Sequence, residues 1–328
     1  MSGQKRFKKA KYKTVIIGAG RIASGFDEPG GQNILTHAGA YRNNPRTELL
    51  GFYDINPKIS EEAARKWGCK SFSTLEEIKQ AQPDIISICT PDRTHYQYLM
   101  LAADIKPKIV VCEKPITTSS EETKEVMAKY EKLGIPVLVN YTRRFNKIFQ
   151  KLKKEIEQGK YGKILSGSGV YTKGILHNGS HMIDFCSYLM GDIIETKAIK
   201  KIKNYDNRDD ANVSGFIKFS KCDQFYIIGN NSEKYFILEI DLLFEKARIK
   251  LLDEGYFLSV SKVIKDPVFK GYKCLKKADI TETGLNQALK ILVKNAVDHL
   301  SKRTPLICGL KEARIAQETC LELLNYKI

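Results

Sequence analysis

The stretch Thr14-Val15-Ile16-Ile17-Gly18-Ala19-Gly20-Arg21-Ile22-Ala23 decides how the rest of the chain is interpreted. Its first four residues are rich in β-branched side chains, which favour a strand buried on both faces. Gly18 then suits a tight turn, Gly20 lets a ligand approach the backbone, and Ala23 keeps the following helix close to the strand. The first N–H groups of that helix, together with its dipole, would hold a phosphate. The stretch therefore predicts a strand, a phosphate-binding turn and a helix.

A second apolar run, Leu49-Leu50-Gly51-Phe52-Tyr53, ends at Asp54. A carboxylate at this place can accept hydrogen bonds from both ribose hydroxyls of an adenosine, and it would repel a 2′-phosphate. A glycine turn by itself is a weak signal, because a bare turn before a helix has the same pattern. In combination with the preceding strand and Asp54, it predicts a dinucleotide site that takes NAD rather than NADP.

The composition is typical of a soluble globular protein. The chain has 328 residues, of which 42% are hydrophobic and 28% charged, and this length allows one large domain or two ordinary ones. No apolar run reaches the roughly 18–20 residues needed to cross a bilayer, and the basic N-terminus lacks the apolar core of a secretory signal. The eight cysteines form no C-x-x-C pair, which indicates thiols in a reducing compartment and gives no spacing for a metal site. We expect a cytoplasmic protein without a metal centre.

The formal net charge of +16 allows several kinds of partner. A basic protein can bind nucleic acid, an acidic membrane or an anionic substrate. Lysine far outnumbers arginine here, however, and the lysines are scattered without interleaved aromatic residues. We therefore expect neither a nucleic-acid nor a membrane partner. The positive electrostatic field of the protein would favour an anionic substrate such as a sugar nucleotide.

The two parts of the chain differ in predicted secondary structure. Up to residue 140, short apolar strands alternate with helices, which is typical of a doubly wound parallel sheet. From about residue 164, successive strands follow with few crossing helices, which indicates a large, mainly antiparallel sheet. We predict an α/β chain with a Rossmann domain over residues 1–140 and an α+β domain for substrate binding and oligomerisation over residues 141–328. The last helix could pack back on the first domain.

Several polar residues fall at the carboxyl ends of the predicted parallel strands, where such sheets bind their ligands. These residues are Gly18, Asp54, Thr90, Glu113 and Asn140. Residues 25–33, rich in glycine and proline, interrupt the place where the first helix would continue. We interpret them as an inserted loop that either covers the cofactor or substrate or is only a surface loop.

Two further stretches carry residues suited to proton transfer. Glu113-Lys114-Pro115 ends a predicted strand, and a lysine partly removed from water beside a cofactor can exchange a proton, although most Lys-Pro pairs are ordinary loop residues. His177-Asn178-Gly179-Ser180-His181-Met182-Ile183-Asp184 spans a predicted helix start, with His181 and Asp184 on the same face. Asp184 could orient the His181 imidazole and fix its tautomer. The alternative is a histidine that only packs or caps the helix.

The chain resembles the Gfo/Idh/MocA oxidoreductases, named for glucose–fructose oxidoreductase and inositol dehydrogenase. The matching motifs occur in order along nearly the whole chain. They are Gly18-Ala19-Gly20-Arg21-Ile22-Ala23, Tyr53-Asp54-Ile55-Asn56, Thr90-Pro91 with His95, Cys112-Glu113-Lys114-Pro115, Asn140-Tyr141-Thr142-Arg143-Arg144-Phe145, Gly179-Ser180-His181-Met182-Ile183-Asp184 and Arg303-Thr304-Pro305-Leu306. The resemblance implies a Rossmann domain and a second domain whose large sheet often mediates dimers or tetramers. It also implies hydride transfer between a sugar-like alcohol carbon and nicotinamide.

The resemblance also implies roles for individual residues. Lys114 and His181 would be the proton-handling pair, with His177 and Asp184 as further catalytic candidates. The implied cofactor-binding residues are Gly18, Gly20, Arg21, Ile22, Ala23, Asp54, Thr90, Pro91, His95 and Glu113. The implied substrate-binding residues are Lys114, Tyr141, Arg143, Asn178 and His181.

The chain departs from the family pattern at His177, where many members have aspartate, at Thr142, where asparagine is common, and in the extra loop 25–33. These departures leave the general base and the substrate open. We predict an NAD(H)-dependent dehydrogenase for a secondary alcohol of a sugar, cyclitol or nucleotide sugar, in which His181 or Lys114 takes the hydroxyl proton. Two alternatives are an NAD-retaining relative that cleaves glycosides and a non-catalytic nucleotide-sensing protein of the same fold. We expect a homodimer or homotetramer.

Overall fold

The computed structural model describes residues 10–203 and 209–327, which form two compact units. The first unit contains the described residues up to Glu113, together with Glu125–Asn140 and Leu289–Gly309. The second contains Lys114–Lys124, the described part of Tyr141–Ala288 and the described residues from Leu310 onward. The chain therefore passes between the units several times, once after Asn140. The predicted division into domains 1–140 and 141–328 stays a prediction.

A six-stranded parallel sheet forms the core of the first unit. Its strands are β1 (Tyr12–Ile17), β2 (Thr47–Tyr53), β3 (Lys70–Phe72), β4 (Ile85–Ile88), β5 (Ile109–Cys112) and β6 (Val137–Val139). They lie in the order β3-β2-β1-β4-β5-β6, which is the Rossmann order. Strands β4, β5 and β6 are buried along their whole length, as expected for a sheet covered on both faces.

Helices connect these strands. They are α1 (His37–Asn43), α2 (Pro57–Trp67), α3 (Leu75–Ala81), α4 (His95–Ile105) and α5 (Ser120–Leu133). Side chains of Thr36, Asn56 and Thr74 cap the first three by accepting a backbone N–H of the first turn. The helix predicted directly after the glycine turn is instead a short π-helix, Arg21–Gly25.

A nine-stranded mixed sheet dominates the second unit. Its strands are β7 (Ile164–Tyr171), β8 (Ile193–Ile202), β9 (Asn212–Phe219), β10 (Cys222–Gly229), β11 (Leu238–Phe244), β12 (Ala247–Leu252), β13 (Phe257–Lys265), β14 (Lys273–Leu275) and β15 (Asp279–Glu282). The order is β14-β13-β12-β11-β7-β10-β9-β8, with β15 paired to β13. The strands are antiparallel except for the pair β7 and β10. Buried and more exposed residues alternate along most of them, so one face packs on a core and the other is open.

The remaining helices are α6 (Lys147–Glu157), α7 (Ser180–Met190), α8 (Ala288–Lys302) and α9 (Leu310–Asn325). Phe149 of α6 packs against Phe185 of α7 with ring centroids 4.8 Å apart. None of the helices in the described ranges is long and apolar enough to span a membrane. The predicted fold class, a Rossmann sheet followed by a large, mainly antiparallel sheet, is confirmed. Helix α6 and strands β14 and β15 were not expected from the sequence.

Candidate active site

The glycine turn after β1 has the geometry that a diphosphate needs. Gly18 has φ +88°, and its N–H donates to the carbonyl of Tyr53 at 2.7 Å. A Cβ at Gly18 would lie 2.7 Å from the backbone of Cys89 and Thr90, so no other residue fits there. A Cβ at Gly20, in contrast, would meet nothing within 4 Å. The space beside Gly20 is therefore open to a ligand that approaches the backbone.

Asp54 ties the end of β2 to this turn. Its Oδ2 accepts the N–H of Ala19 at 2.8 Å, and its Oδ1 accepts the N–H of Asn56 at 2.9 Å. The carboxylate is thus held beside the glycine turn, where the sequence placed the ribose-binding acid. The N–H groups of Arg21 and Ile22 begin the π-helix that follows and lack acceptors within it.

The strand end after β4 contains an unpaired buried hydroxyl. Among the described residues, Thr90 Oγ1 is buried and has no hydrogen-bond partner, whereas Pro91 next to it is exposed. An orphaned hydroxyl of this kind is suited to a ligand's polar atom. His95 is fully buried, and its Nε2 hydrogen-bonds the Thr90 carbonyl at 2.9 Å. This bond ties the imidazole to the turn, and the expected cofactor contact of His95 stays a prediction.

Glu113 lies in a buried polar cluster that the sequence did not reveal. His37 Nε2 lies 2.8 Å from Glu113 Oε1, and Asn140 Nδ2 donates to the same oxygen at 2.7 Å. His37 Nδ1 lies 2.8 Å from Ser87 Oγ. Burial alone would lower the pKa of His37, but Cys89 and Glu113 beside it raise that pKa to about 10. The imidazolium and the Asn140 amide together fix the orientation of the Glu113 carboxylate.

In the second unit, Lys114 is buried and held by His177. Its Nζ donates to the His177 carbonyl at 2.6 Å and lies 3.5 Å from His177 Nδ1. Only 7% of Lys114 is exposed, whereas His177 is exposed. Residues Ile175–Gly179 form a second π-helix that leads directly into α7. Insertions of this type are frequent at functional sites.

His181, in the first turn of α7, is a neutral imidazole at physiological pH. Burial, followed by the positive charges of Lys114, Arg143 and His177, holds its pKa well below the ordinary value. Part of the residue still reaches the surface, and its ring packs edge-on against Tyr141 with centroids 5.8 Å apart. A neutral imidazole has a lone pair that can accept a proton.

Asp184 is bound by Arg144, a partner that the helical spacing did not indicate. The Nε of Arg144 lies 2.9 Å from each carboxylate oxygen. Asp184 is 1% exposed, and burial raises its pKa to about 6 even beside that guanidinium. A charged guanidinium is a strong partner for a carboxylate. The orientation of the His181 imidazole by Asp184 stays a prediction.

Three other predicted substrate-binding residues are largely occupied by protein contacts. Tyr141 is 1% exposed. Asn178 donates to the carbonyl of Thr172 at 2.9 Å, and a terminal nitrogen of Arg143 donates to the carbonyl of Glu254. Burial lowers the pKa of Arg143 to about 10, which still leaves it charged at neutral pH. Their roles toward a substrate stay predictions.

Comparison with known proteins gives a family match for one part of the chain. Residues 12–141 match the family model described as "Oxidoreductase family, NAD-binding Rossmann fold". This segment is similar to the Rossmann part of the Gfo/Idh/MocA oxidoreductases. The chain is 26% identical over 200 residues to D-glucoside 3-dehydrogenase of Escherichia coli (strain K12), covering 55% of this chain and 54% of that protein. It is 30% identical over 199 residues to scyllo-inositol 2-dehydrogenase (NAD(+)) of Bacillus subtilis (strain 168), covering 60% and 52%.

The matched segments thus span about half the length of these curated relatives. Similarity of fold extends further. The structure of levoglucosan dehydrogenase in complex with NADH and L-sorbose superposes with a TM-score of 0.77 at 18% identity, covering 96% of this chain and 97% of that one. This likeness concerns the fold alone.

Two residues of the candidate site were missed by sequence reasoning. His37 stands in a small-residue helix start, and its full burial depends on the sheet behind it. Asp210 accepts the N–H groups of Leu176 and His177 at 2.8 and 2.9 Å. Within the described ranges, no group of three or more His, Cys, Asp or Glu side chains is arranged to hold a metal ion.

Proposed function

We propose that the protein is an NAD(H)-dependent dehydrogenase that moves a hydride between nicotinamide and a secondary alcohol of a sugar, cyclitol or nucleotide sugar. The observation that carries the proposal is the buried Lys114 ammonium, fixed on the His177 carbonyl, in the same unit as a neutral His181. A cation and a neutral base are the two groups that alcohol oxidation requires. The relatives named above act, by their names, on a glucoside and on an inositol.

The first unit would hold the cofactor. The open backbone at Gly20 and the strained turn at Gly18 suit the diphosphate, and the unpaired Thr90 hydroxyl suits a further polar atom of the ligand. The Asp54 carboxylate favours a free ribose over a 2′-phosphate, so we propose NAD rather than NADP. When bound, the nicotinamide supplies the hydride acceptor; the protein supplies binding and orientation.

The second unit would handle the proton. His181 is in the form that accepts a proton, so it takes the hydroxyl proton of the substrate. The Lys114 ammonium donates a hydrogen bond to the same oxygen as negative charge develops there. In the reverse direction the imidazolium returns the proton. Positioned acid–base groups of this kind contribute about 10²–10⁴-fold to the rate.

We also propose a homodimer or homotetramer built on the open face of the large sheet. Apolar side chains there are exposed, including Tyr226 and Ile228 of β10 and Leu243 of β11. Contiguous apolar surface of this kind usually marks an association site. A cytoplasmic location fits the eight cysteines, all of which are free thiols.

The test combines binding with turnover. Fluorescence titration should show saturable NADH binding, tighter than NADPH binding, and a screen of sugars and cyclitols should identify a substrate by NADH formation. Lys114→Ala should lower kcat by about 10²–10⁴-fold while leaving the Kd for NADH essentially unchanged. The matched control is Lys151→Ala, because Lys151 is a largely exposed lysine on α6. Folded protein that binds no NADH, or a Lys114→Ala variant with the parent rate, would overturn the proposal.

A further inference from the structure

The backbone that leads into α7 is docked on the start of strand β9. Four successive N–H groups, from residues 174 to 177, all donate to residues 210–212. The contacts are Gly174 N to Asn212 Oδ1 at 2.8 Å, Ile175 N to Ala211 O at 3.0 Å, Leu176 N to Asp210 Oδ1 at 2.8 Å and His177 N to Asp210 Oδ2 at 2.9 Å. N–H groups at the beginning of a helical segment have no acceptor within it. Residues 210–212 therefore fix the conformation of this entry segment.

Asp210 supplies two of the four bonds with a buried charge. The residue is 2% exposed, and each carboxylate oxygen accepts one of two adjacent N–H groups. Bonds from N–H groups to a carboxylate are roughly twice as strong as bonds between neutral groups. An amide side chain of the same shape would offer only one oxygen to these two donors.

Asp210 and Lys114 hold the same residue from its two ends. His177 gives its N–H to Asp210 and receives the Lys114 ammonium on its carbonyl at 2.6 Å. One residue of backbone thus separates the buried anion from the buried cation. The pKa of the neighbouring Cys320 thiol is raised well above its ordinary range, chiefly by burial, and it responds to both charges: Asp210 raises it and Lys114 lowers it.

We propose that Asp210 is a positioning residue for Lys114. Its carboxylate fixes the His177 peptide, and the carbonyl of that residue accepts the ammonium. The proposal rests on the proposed function in assigning Lys114 to proton handling. The effect of Asp210 on the position of Lys114 can be measured without an assay of turnover.

The experiment compares Asp210→Asn with the wild type and with Asp209→Asn, which removes the exposed carboxylate next in the chain. Competitive acylation with acetic anhydride at one fixed pH, followed by mass spectrometry, gives the labelling rate of Lys114. Loss of the carboxylate releases the His177 peptide on which the ammonium rests, so this rate should rise severalfold. With an identified substrate, kcat should fall about tenfold or more at unchanged KM. Asp209→Asn should change neither readout.

Asp210→Glu keeps the charge and displaces it by one methylene. It should give a labelling rate of Lys114 and a kcat between those of the wild type and Asp210→Asn. An unchanged labelling rate in folded Asp210→Asn overturns the proposal. An Asp210→Asn variant that does not fold, judged by circular dichroism, also overturns it, because the carboxylate is then purely structural. A raised labelling rate in a protein without dehydrogenase activity supports the role of Asp210 and refutes the proposed function instead.

Discussion

Replacing His37 by leucine breaks a buried ion pair whose strength follows from the structure. His37 is fully buried, and its Nε2 lies 2.8 Å from Glu113 Oε1. Burial would lower the pKa of His37, but Cys89 and Glu113 raise it from 6.5 to about 10. Removing one partner of a buried pair costs about 3–5 kcal/mol, so we expect a loss of that size at pH 7.

The same pair gives stability a characteristic pH dependence. Because the folded-state pKa of His37 lies above its unfolded-state value, the stabilisation is complete below pH 6.5 and is lost as the pH rises toward 10. Between pH 6.5 and 10 the free energy of unfolding of the wild type should fall, relative to that of His37→Leu, by up to about 1.4 kcal/mol per pH unit. Urea unfolding at intervals across the window measures this difference. The fluorescence of Trp67, the single tryptophan, reports on the first unit.

Tyr41→Phe is the matched control for His37→Leu. The Tyr41 hydroxyl donates to Ser87 Oγ at 3.2 Å, so this change removes a neighbouring buried hydrogen bond and leaves the ion pair intact. Tyr41→Phe should lower the free energy of unfolding by no more than about 1.5 kcal/mol and keep the pH dependence of the wild type. The reasoning is refuted if His37→Leu loses less than about 1 kcal/mol, or if its stability falls with pH as steeply as that of the wild type.

Three further changes test other parts of the structure. Gly18→Ala should abolish NADH binding and lower the free energy of unfolding by at least about 2 kcal/mol, because its Cβ would clash with backbone. Its control is Gly134→Ala, at a positive φ in open space, which should lower that free energy by only about 1 kcal/mol. NADH titration and urea unfolding compare the two variants. Asp184→Asn should lower the free energy of unfolding by about 3 kcal/mol, because it leaves Arg144 without its counter-charge. The NMR titration of His181 should stay unchanged. A shifted titration would favour the role of Asp184 in orienting His181. The pKa of His181 lies well below its ordinary value, so the unfolded chain binds a proton there more readily than the folded protein. The wild type should therefore lose free energy of unfolding as the pH falls below 6.5, and His181→Asn should lose less. Acid unfolding curves that run parallel for the two proteins would contradict this.

The fold could be predicted from the sequence wherever burial leaves a periodic pattern. Helix α7 begins within the predicted helix start at 177–184, and most of its residues are buried. Helix α6 was missed because lysines dominate it, although its buried residues Phe149, Leu152 and Ile156 have helical spacing. Strands β14 and β15 are short and largely exposed, so their sequences carry no alternation.

The site was less predictable because its contacts join distant residues. Lys114 and His177 are 63 positions apart, and no local pattern relates them. Asp210 was missed because its partners are backbone N–H groups, which any sequence possesses. Spacing along one helix could not reveal the guanidinium of Arg144 as the partner of Asp184. Motifs thus gave candidate residues, and topology decided what each one touches.

Strand β6 is the last strand of the parallel sheet, and its outer edge is partly shielded by a distant part of the chain. The N–H of Val139 donates to the carbonyl of Cys308 at 2.9 Å, within the first unit. A truncated protein that stops near residue 140 would leave this apolar strand with unsatisfied backbone donors and acceptors. Such bare edges recruit other strands and drive aggregation. We therefore expect a fragment of the first unit to be more soluble when it includes residues 289–309.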